Sequence, residues 1–424
     1  MERAPSVGRV FFPLDMELAL LPGNLAPRQH EHLVHLACFM PFAKVSGLLA
    51  RLLGVQAGEE TVRRLTEQAG RQVEEAQTQA ASAPWQEETV EMVPQARLAM
   101  SADGAYVPLV KGEWAEVRTL AIGKVKRSGA SGRKSEIRTH DLSYFSRMTS
   151  AERFIELAEV ETRRRKVVQA PEVCAVMDGA GWLQGLVDVH RPDAVRILDF
   201  PHAAEHISLL LQALQQAGMR LPADCLSGLL HHLKHRGPRA LLRLANRLPA
   251  HLSEVQEVRE HLSYLKKRVT QMQYPQFRKQ GWPIGSGSVE SANKLVVEAR
   301  LKGAGMHWER KNVNPMLALR NGVCNERWLE TWQTGQHHLW EQQQRRRTLR
   351  AKRRREKALA LSDPLLLTSP PLPPQPTVEP LSAPSLASSP SAPAATLPGS
   401  CLPSAHHPWK RGPACSPKKT FAKI

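Results

Sequence analysis

The amino-acid sequence predicts an α/β protein. A mixed sheet is interrupted by an all-helical insertion, preceded by a helical region and followed by a basic, Pro-rich tail. Three observations carry this. Between residues 96 and 125 apolar and polar residues alternate with a period of two, as in half-buried antiparallel strands. Residues 173–178 and 194–199 are instead short continuous apolar runs, as in parallel strands covered on both faces. Residues 203–273 keep helical spacing without a strand signal, and a loop of that length would be out of place in a compact domain.

Charge narrows the partner. Of 424 residues, 58 are Lys or Arg against 40 Asp or Glu, a net charge of +18. Such an excess points to a polyanion, nucleic acid before membrane, because no apolar stretch has the length of a spanning helix. The first residues lack the apolar core of a secretory signal. Six scattered cysteines without a C-x-x-C suit a reducing compartment and neither a disulfide framework nor a zinc ribbon. A soluble, intracellular, nucleic-acid-facing protein is the starting class.

Taken in order, residues 1–92 read as a helical region. Phe42, Val45, Leu48, Leu49, Leu52 and Leu53 make one apolar face, and Gly54-Val55 breaks it. Residues 59–75 resume it with Val62, Leu65, Ala69 and Val73 inward and Arg63, Arg64 and Arg71 elsewhere. Two helices around a Gly-containing turn, the second carrying Arg, fit a DNA-binding helix-turn-helix and equally an ordinary helical hairpin. Residues 93–202 hold the first part of the sheet domain: strands at 96–103 and 116–125, a basic loop at 126–141, a helix at 150–167, and the two apolar strands around a helix at 181–189. Residues 203–278 are the insertion. Residues 279–344 return to the sheet domain through a Gly/Ser loop and a helix capped by Ser288, with Val289, Ala292, Val296 and Ala299 facing the core. Residues 345–424 open with the basic run RRRTLRAKRRREK and continue in Pro, Ser and Ala, a composition that stays disordered.

Three carboxylates stand where chemistry is expected. Asp103-Gly104 closes the first strand, Asp178-Gly179 ends a central apolar strand, and Glu290 starts the late helix. Each alone has a plainer reading: Asp103 as a hairpin turn, Asp178 as a strand-end turn or helix cap, Glu290 as a dipole-favoured acid. Open α/β sheets, however, place their sites at the carboxyl ends of strands. If the three converge, they make a hard-oxygen site for two Mg²⁺ or Mn²⁺ about 4 Å apart, suited to in-line displacement at phosphorus. Asp199 and His202, with His206 one turn further, have a ligand-like spacing. They lack the neighbouring Glu or Cys of a zinc site and read as support for the site or as a DNA contact. Arg300, Lys302 and Arg310 are candidate phosphate contacts.

Four segments in this order, SADGAYVPL (101–109), VMDGAGWL (176–183), LDFPHAAEH (198–206) and WPIGSGSVESANKLV (282–296), resemble the DDE transposases of bacterial insertion sequences. Within those related to eukaryotic Mutator-like elements, the Kra-type group is the most similar. GMHWERKNVNPMLALR (305–320) is similar too, so the resemblance spans about residues 10–340. It implies an RNase H-like fold in which the strands bearing the first two acids are neighbours. It also implies a triad of Asp103, Asp178 and Glu290, a helical insertion between the second and third acids, and a (C/D)-x-x-H signature at Asp199 and His202 outside the metal-binding triad. The implied activity is cleavage of phosphodiesters at element ends and transfer of the 3′-hydroxyl to target DNA. The implied partners are double-stranded DNA with terminal inverted repeats and further copies of the chain. Family members often carry a Cys-pair segment ahead of the stretch matching FPLDMELAL (12–20), and here eleven Cys-free residues precede it. Two other readings share these residues: a transposase-derived protein that binds DNA without cutting it, and a structure-specific nuclease.

Overall fold

The computed structural model describes residues 25–83, 97–128 and 136–361. Residues 12–20 and 362–424, with the expected Pro-rich tail, lie outside them. Helices α1 (Pro27–Ala37), α2 (Phe42–Leu53) and α3 (Glu59–Ser82) come first. Strands β1 (Leu98–Pro108), β2 (Trp114–Ser128) and β3 (Glu136–Arg147) form an antiparallel meander. Helix α4 (Ala151–Arg164) follows, its N-terminus capped by Ser150, whose hydroxyl accepts from the Arg153 N–H at 3.3 Å. Then come β4 (Val173–Met177), α5 (Gly181–His190) and β5 (Val195–Leu198). The strand order is β3-β2-β1-β4-β5, with β1 antiparallel to β2 and parallel to β4, so the sheet is mixed as expected.

The expected basic loop at 126–141 is a correction. β2 runs to Ser128 and β3 starts at Glu136, leaving only residues 129–135 outside the described part. Where these strands reach beyond the other three, alternate residues no longer meet a core, and the period-two signal disappears. A bulge at Gly123 shifts the register there. A Cβ at that position would stand 2.5 Å from the Thr139 methyl.

Both faces of the sheet are covered. On one, Leu98, Met100, Ala102, Leu120 and Ile122 pack against Phe154 and Leu157 of α4 and Leu183 and Leu186 of α5. On the other, Ala99, Cys174, Val176 and Ile197 meet the insertion. It comprises α6 (Phe200–Gln216), α7 (Cys225–Arg236), α8 (Arg239–Arg247), the single turn α9 (Ala250–Ser253) and α10 (Gln256–Lys267). Helix α11 (Tyr274–Gln280) leads back to the sheet. Further along that same face, Ala105, Val107, Val117 and Ala121 are covered by the Glu290 segment and by α13 (Arg310–Cys324).

The N-terminal helices do not stand apart. Leu33, Val45, Leu49, Val62 and Leu65 share one core with Ala318 and Leu319 of α13. Gly70 of α3 lies so close to α13 that a Cβ would be 2.4 Å from the Pro315 oxygen. The expected boundary at residue 92 is therefore no domain boundary, and Met1–Glu356 forms one compact unit. Of the expected α2 face, Val45 and Leu49 are buried while Leu52 and Leu53 are exposed. The basic run at 345 is not a change to disorder either: it belongs to α14 (Trp328–Leu361), one continuous helix. Among the described residues no helix is long and apolar enough to cross a membrane.

Candidate active site

Asp103 is not a hairpin residue. It pairs with Thr119 in the middle of β1, and the strand continues to Pro108; the turn is made by Lys111 and Gly112, both at positive φ. Asp178 follows the last residue of β4, and its Oδ1 accepts from the Ala180 N–H at 2.7 Å, so it makes the strand-end turn; the N-cap of α5 is Ala180, which has no side-chain cap bond. The parallel register joins Leu98 to Val173, and each aspartate lies five residues past its member of that pair. They therefore stand at the same level on adjacent strands. Side chains alternate along a strand, so both also face the side occupied by Ala99 and Cys174.

The Glu290 segment lies across that face. It begins as α12 (Gly287–Ala292), continues as a π-helical stretch at Asn293–Glu298 and closes with one α-turn at Ala299–Leu301. Its N-cap is Ser286, not the expected Ser288, and the Ser286 hydroxyl points to the Glu290 carboxylate at 3.5 Å. A π-helical stretch adds a residue to the turn and rotates everything beyond it. Val289, Ala292 and Val296 are buried as expected, but Ala299 is exposed and Arg300 and Leu301 take its place inside.

Asp103 is half-buried and held by two donors, the Gly104 N–H at 2.7 Å and Asn293 Nδ2 at 3.1 Å. Burial still raises its pKa above the usual carboxylate range, and the charges of Asp178 and Glu290 push the same way. Among the described residues no three His, Cys, Asp or Glu side chains are gathered tightly enough to hold a metal ion as they stand. The donor chemistry nevertheless fits a hard divalent cation. The set is all carboxylate oxygen, and Glu290 is an exposed side chain one turn from the Asn293 that binds Asp103.

The raised Asp103 pKa fixes a sign. The folded chain holds that proton more tightly than the unfolded one, so stability falls as pH rises from the unfolded pKa through the folded one and stays lower above it. In metal-free buffer Asp103→Asn is expected to melt above the wild type at pH 7. The difference should close below about pH 3, where the carboxyl is protonated in both states. Thermal scans across pH check this, and a variant less stable than the wild type at pH 7 would contradict it.

The insertion grips the Asp178 turn. Tyr264 and Arg268, one turn apart at the end of α10, donate to the carbonyls of Asp178 and Gly179. Arg268 lies over the Tyr264 ring at 3.8 Å, and His206 stacks on the same ring with centroids 3.7 Å apart. Burial, with the charges of His202, His261 and Arg268, lowers the His206 pKa to about 4, so the ring stays neutral. Gly179 has φ +86°, and a Cβ there would stand 2.3 Å from Arg268 Nε. Gly179→Ala is expected to cost about 1–3 kcal/mol in denaturant unfolding, and Gly179→Ala with Arg268→Ala should recover only the contact part of it.

Asp199 is 5% exposed and acts as a joint: Oδ2 accepts from the His202 N–H at 3.1 Å, capping α6, and Oδ1 accepts from the Ser286 N–H at 2.7 Å. It ties the insertion to the Glu290 loop. His202 packs edge-on against His206 and Tyr264.

The candidate phosphate contacts fare unevenly. Arg300 is a correction: it is 2% exposed, with Nε donating to the Ala37 carbonyl at 2.8 Å between the rings of Phe42 and Trp308. The π-helical rotation put it there, and burial lowers its pKa to about 10. Lys302 pairs with Glu298 at 2.8 Å and Arg310 with Glu113 at 3.4 Å. Arg63 is held by Glu60 and Glu67, Arg71 faces Asn312, and Arg64 is exposed. Asn293, Ser286, Tyr264 and Arg268 were not foreseen. Asn293 had a signal, one helical turn after Glu290; the others act across long sequence separations that periodicity does not see. No protein-family model matches this chain, and no curated protein matches it.

Proposed function

We propose that this protein is a DNA transposase of the DDE type on an RNase H-like fold. It would cleave phosphodiesters at the ends of its element and join the freed 3′-hydroxyl to target DNA. The observation that supports it most is the meeting of Asp103 and Asp178, level on neighbouring strands and on one face, with Glu290 brought over that face by a helix from far along the chain. In the sequence these acids are separated by β2, β3 and α4 and then by the whole insertion.

Asp103, Asp178 and Glu290 would hold two Mg²⁺ or Mn²⁺. Bound there, the ions supply positive charge for the attacking and leaving oxygens of an in-line displacement. The chain's own residues set the stage. Asn293 orients the Asp103 carboxylate, Ser286 faces Glu290, and Tyr264 with Arg268 fixes the backbone that carries Asp178. Strand cleavage by water and strand joining by a 3′-hydroxyl are the same displacement with different nucleophiles, so one site serves both. The net charge of +18 draws in DNA, with the exposed Arg64 and the basic run of α14 as surface contacts. Holding two element ends calls for more than one copy of the chain.

The test is the purified protein with DNA carrying the inverted repeats that flank its gene, in Mg²⁺. Cleavage at the repeat ends and joining to a target plasmid support the reading. Cutting of branched DNA without end preference would favour the nuclease, and binding without any cutting the non-catalytic reading.

A further inference from the structure

Beside the Glu290 helix runs a groove of about 540 Å³. One wall is the exposed part of β3, with Thr139. The other carries Lys234 of α7 and Arg278 of α11. The floor is the Gly/Ser loop, Gly285 and Gly287, continuing to Ser288 and Ser291 on either side of Glu290.

Three features of this groove have no explanation within the chain. No carboxylate lines it, although the acid cluster is next door. Neither Lys234 nor Arg278 has a carboxylate partner among the described residues; Lys234 is steadied only by the Phe200 ring at 5.5 Å. Arg63, Lys302 and Arg310 are by contrast paired. Finally, the two glycines are not demanded by the fold. Neither has positive φ, a Cβ on Gly287 would meet nothing within 4 Å, and one on Gly285 would only brush Asp199 at 3.9 Å. A glycine that neither backbone conformation nor packing requires leaves room for something outside the chain to come close to the backbone.

We propose that this groove binds a short run of single-stranded nucleic acid through its phosphates and leads it to the carboxylate cluster. The volume is that of a pocket for a drug-sized ligand, enough for a short piece of one strand. Two unpaired cations on one wall suit two phosphates, and the glycine floor lets the sugar-phosphate chain lie against backbone. The walls offer no stacking platform, since Trp282 is buried, so the groove reads backbone and not sequence. The proposal rests on the catalytic reading only for what lies at the groove's end; the binding itself is independent of it.

The test is fluorescence anisotropy of the full chain with a labelled single-stranded oligonucleotide in metal-free buffer, across a salt series. Lys234→Gln with Arg278→Gln is expected to weaken binding on the order of tenfold and to make the slope of log K against log salt shallower by about 1.4, two phosphates' worth. Gly287→Val should weaken binding with its thermal midpoint unchanged, because no protein atom is near, while Lys234→Arg with Arg278→Lys should bind as the wild type does. An unchanged slope in the Gln double variant overturns the proposal, as does polyglutamate competing as well as the oligonucleotide. A protein that binds it through the groove but never cuts DNA would sink the catalytic reading and leave the groove standing.

Discussion

Asp178→Asn and Glu290→Gln are each expected to lower Mg²⁺-dependent cleavage of end-bearing DNA by at least about a thousandfold, from losing roughly 4 kcal/mol of transition-state stabilisation. Both are isosteric and spare the scaffold. Asn at 178 keeps an oxygen for the Ala180 N–H, and the Asp178 carbonyl held by Tyr264 is untouched. Glu290 is exposed, its one side-chain contact a 3.5 Å approach from Ser286, so Gln there leaves the core of Val289 and Ala292 intact. Thermal midpoints should thus stay within a few degrees of the wild type while cleavage disappears. Full cleavage by either variant would remove these carboxylates from the chemistry.

Trp282→Ala should be the most damaging single truncation, at about 3–5 kcal/mol in urea unfolding. The indole is 2% exposed at the meeting of the insertion core with the sheet. Its face is covered by the Arg97 guanidinium at 3.8 Å, and Arg97 in turn donates to the Gln280 carbonyl at 2.9 Å. Removing the ring therefore loosens the insertion, the start of β1 and the entry to the Glu290 loop together. Cleavage should fall with stability. A loss under about 1 kcal/mol would mean that the insertion core closes over the gap, contrary to the tight packing there.

What the sequence revealed follows from burial. β4 and β5 were legible because both faces are covered, which leaves continuous apolar runs such as Val173–Met177. The insertion was legible because Ile207, Leu210, Leu214, Val258, Leu262 and Leu265 recur at helical spacing. β3 was not, because its first part carries the exposed Arg138, His140 and Asp141 and only Ser143–Arg147 is fully buried. Asp103-Gly104 read as a turn because that dipeptide usually is one, yet a carboxylate in mid-strand is more telling than one in a turn. Ala299 and Arg300 were exchanged because a strict 3.6-residue count carries no allowance for a π-helical step. Of the site, the three acids were named from chain position and resemblance. The shell around them, Asn293, Tyr264 and Arg268, was invisible, since nothing local marks a contact across 86 or 190 residues.

Tyr264 and Arg268 also bear on how the protein could be trimmed. A designer wishing for a smaller version would see an appendage looped out between β5 and the Glu290 helix, its ends joined by the Phe200 N–H donating to the Ile284 carbonyl at 2.9 Å. Yet two peptide oxygens beside the second acid draw their donors from that appendage, and a bare linker has nothing to offer in return. The excised region is better regarded as the clamp on the turn that carries Asp178, so miniaturisation has to transplant a phenol and a guanidinium along with the cut.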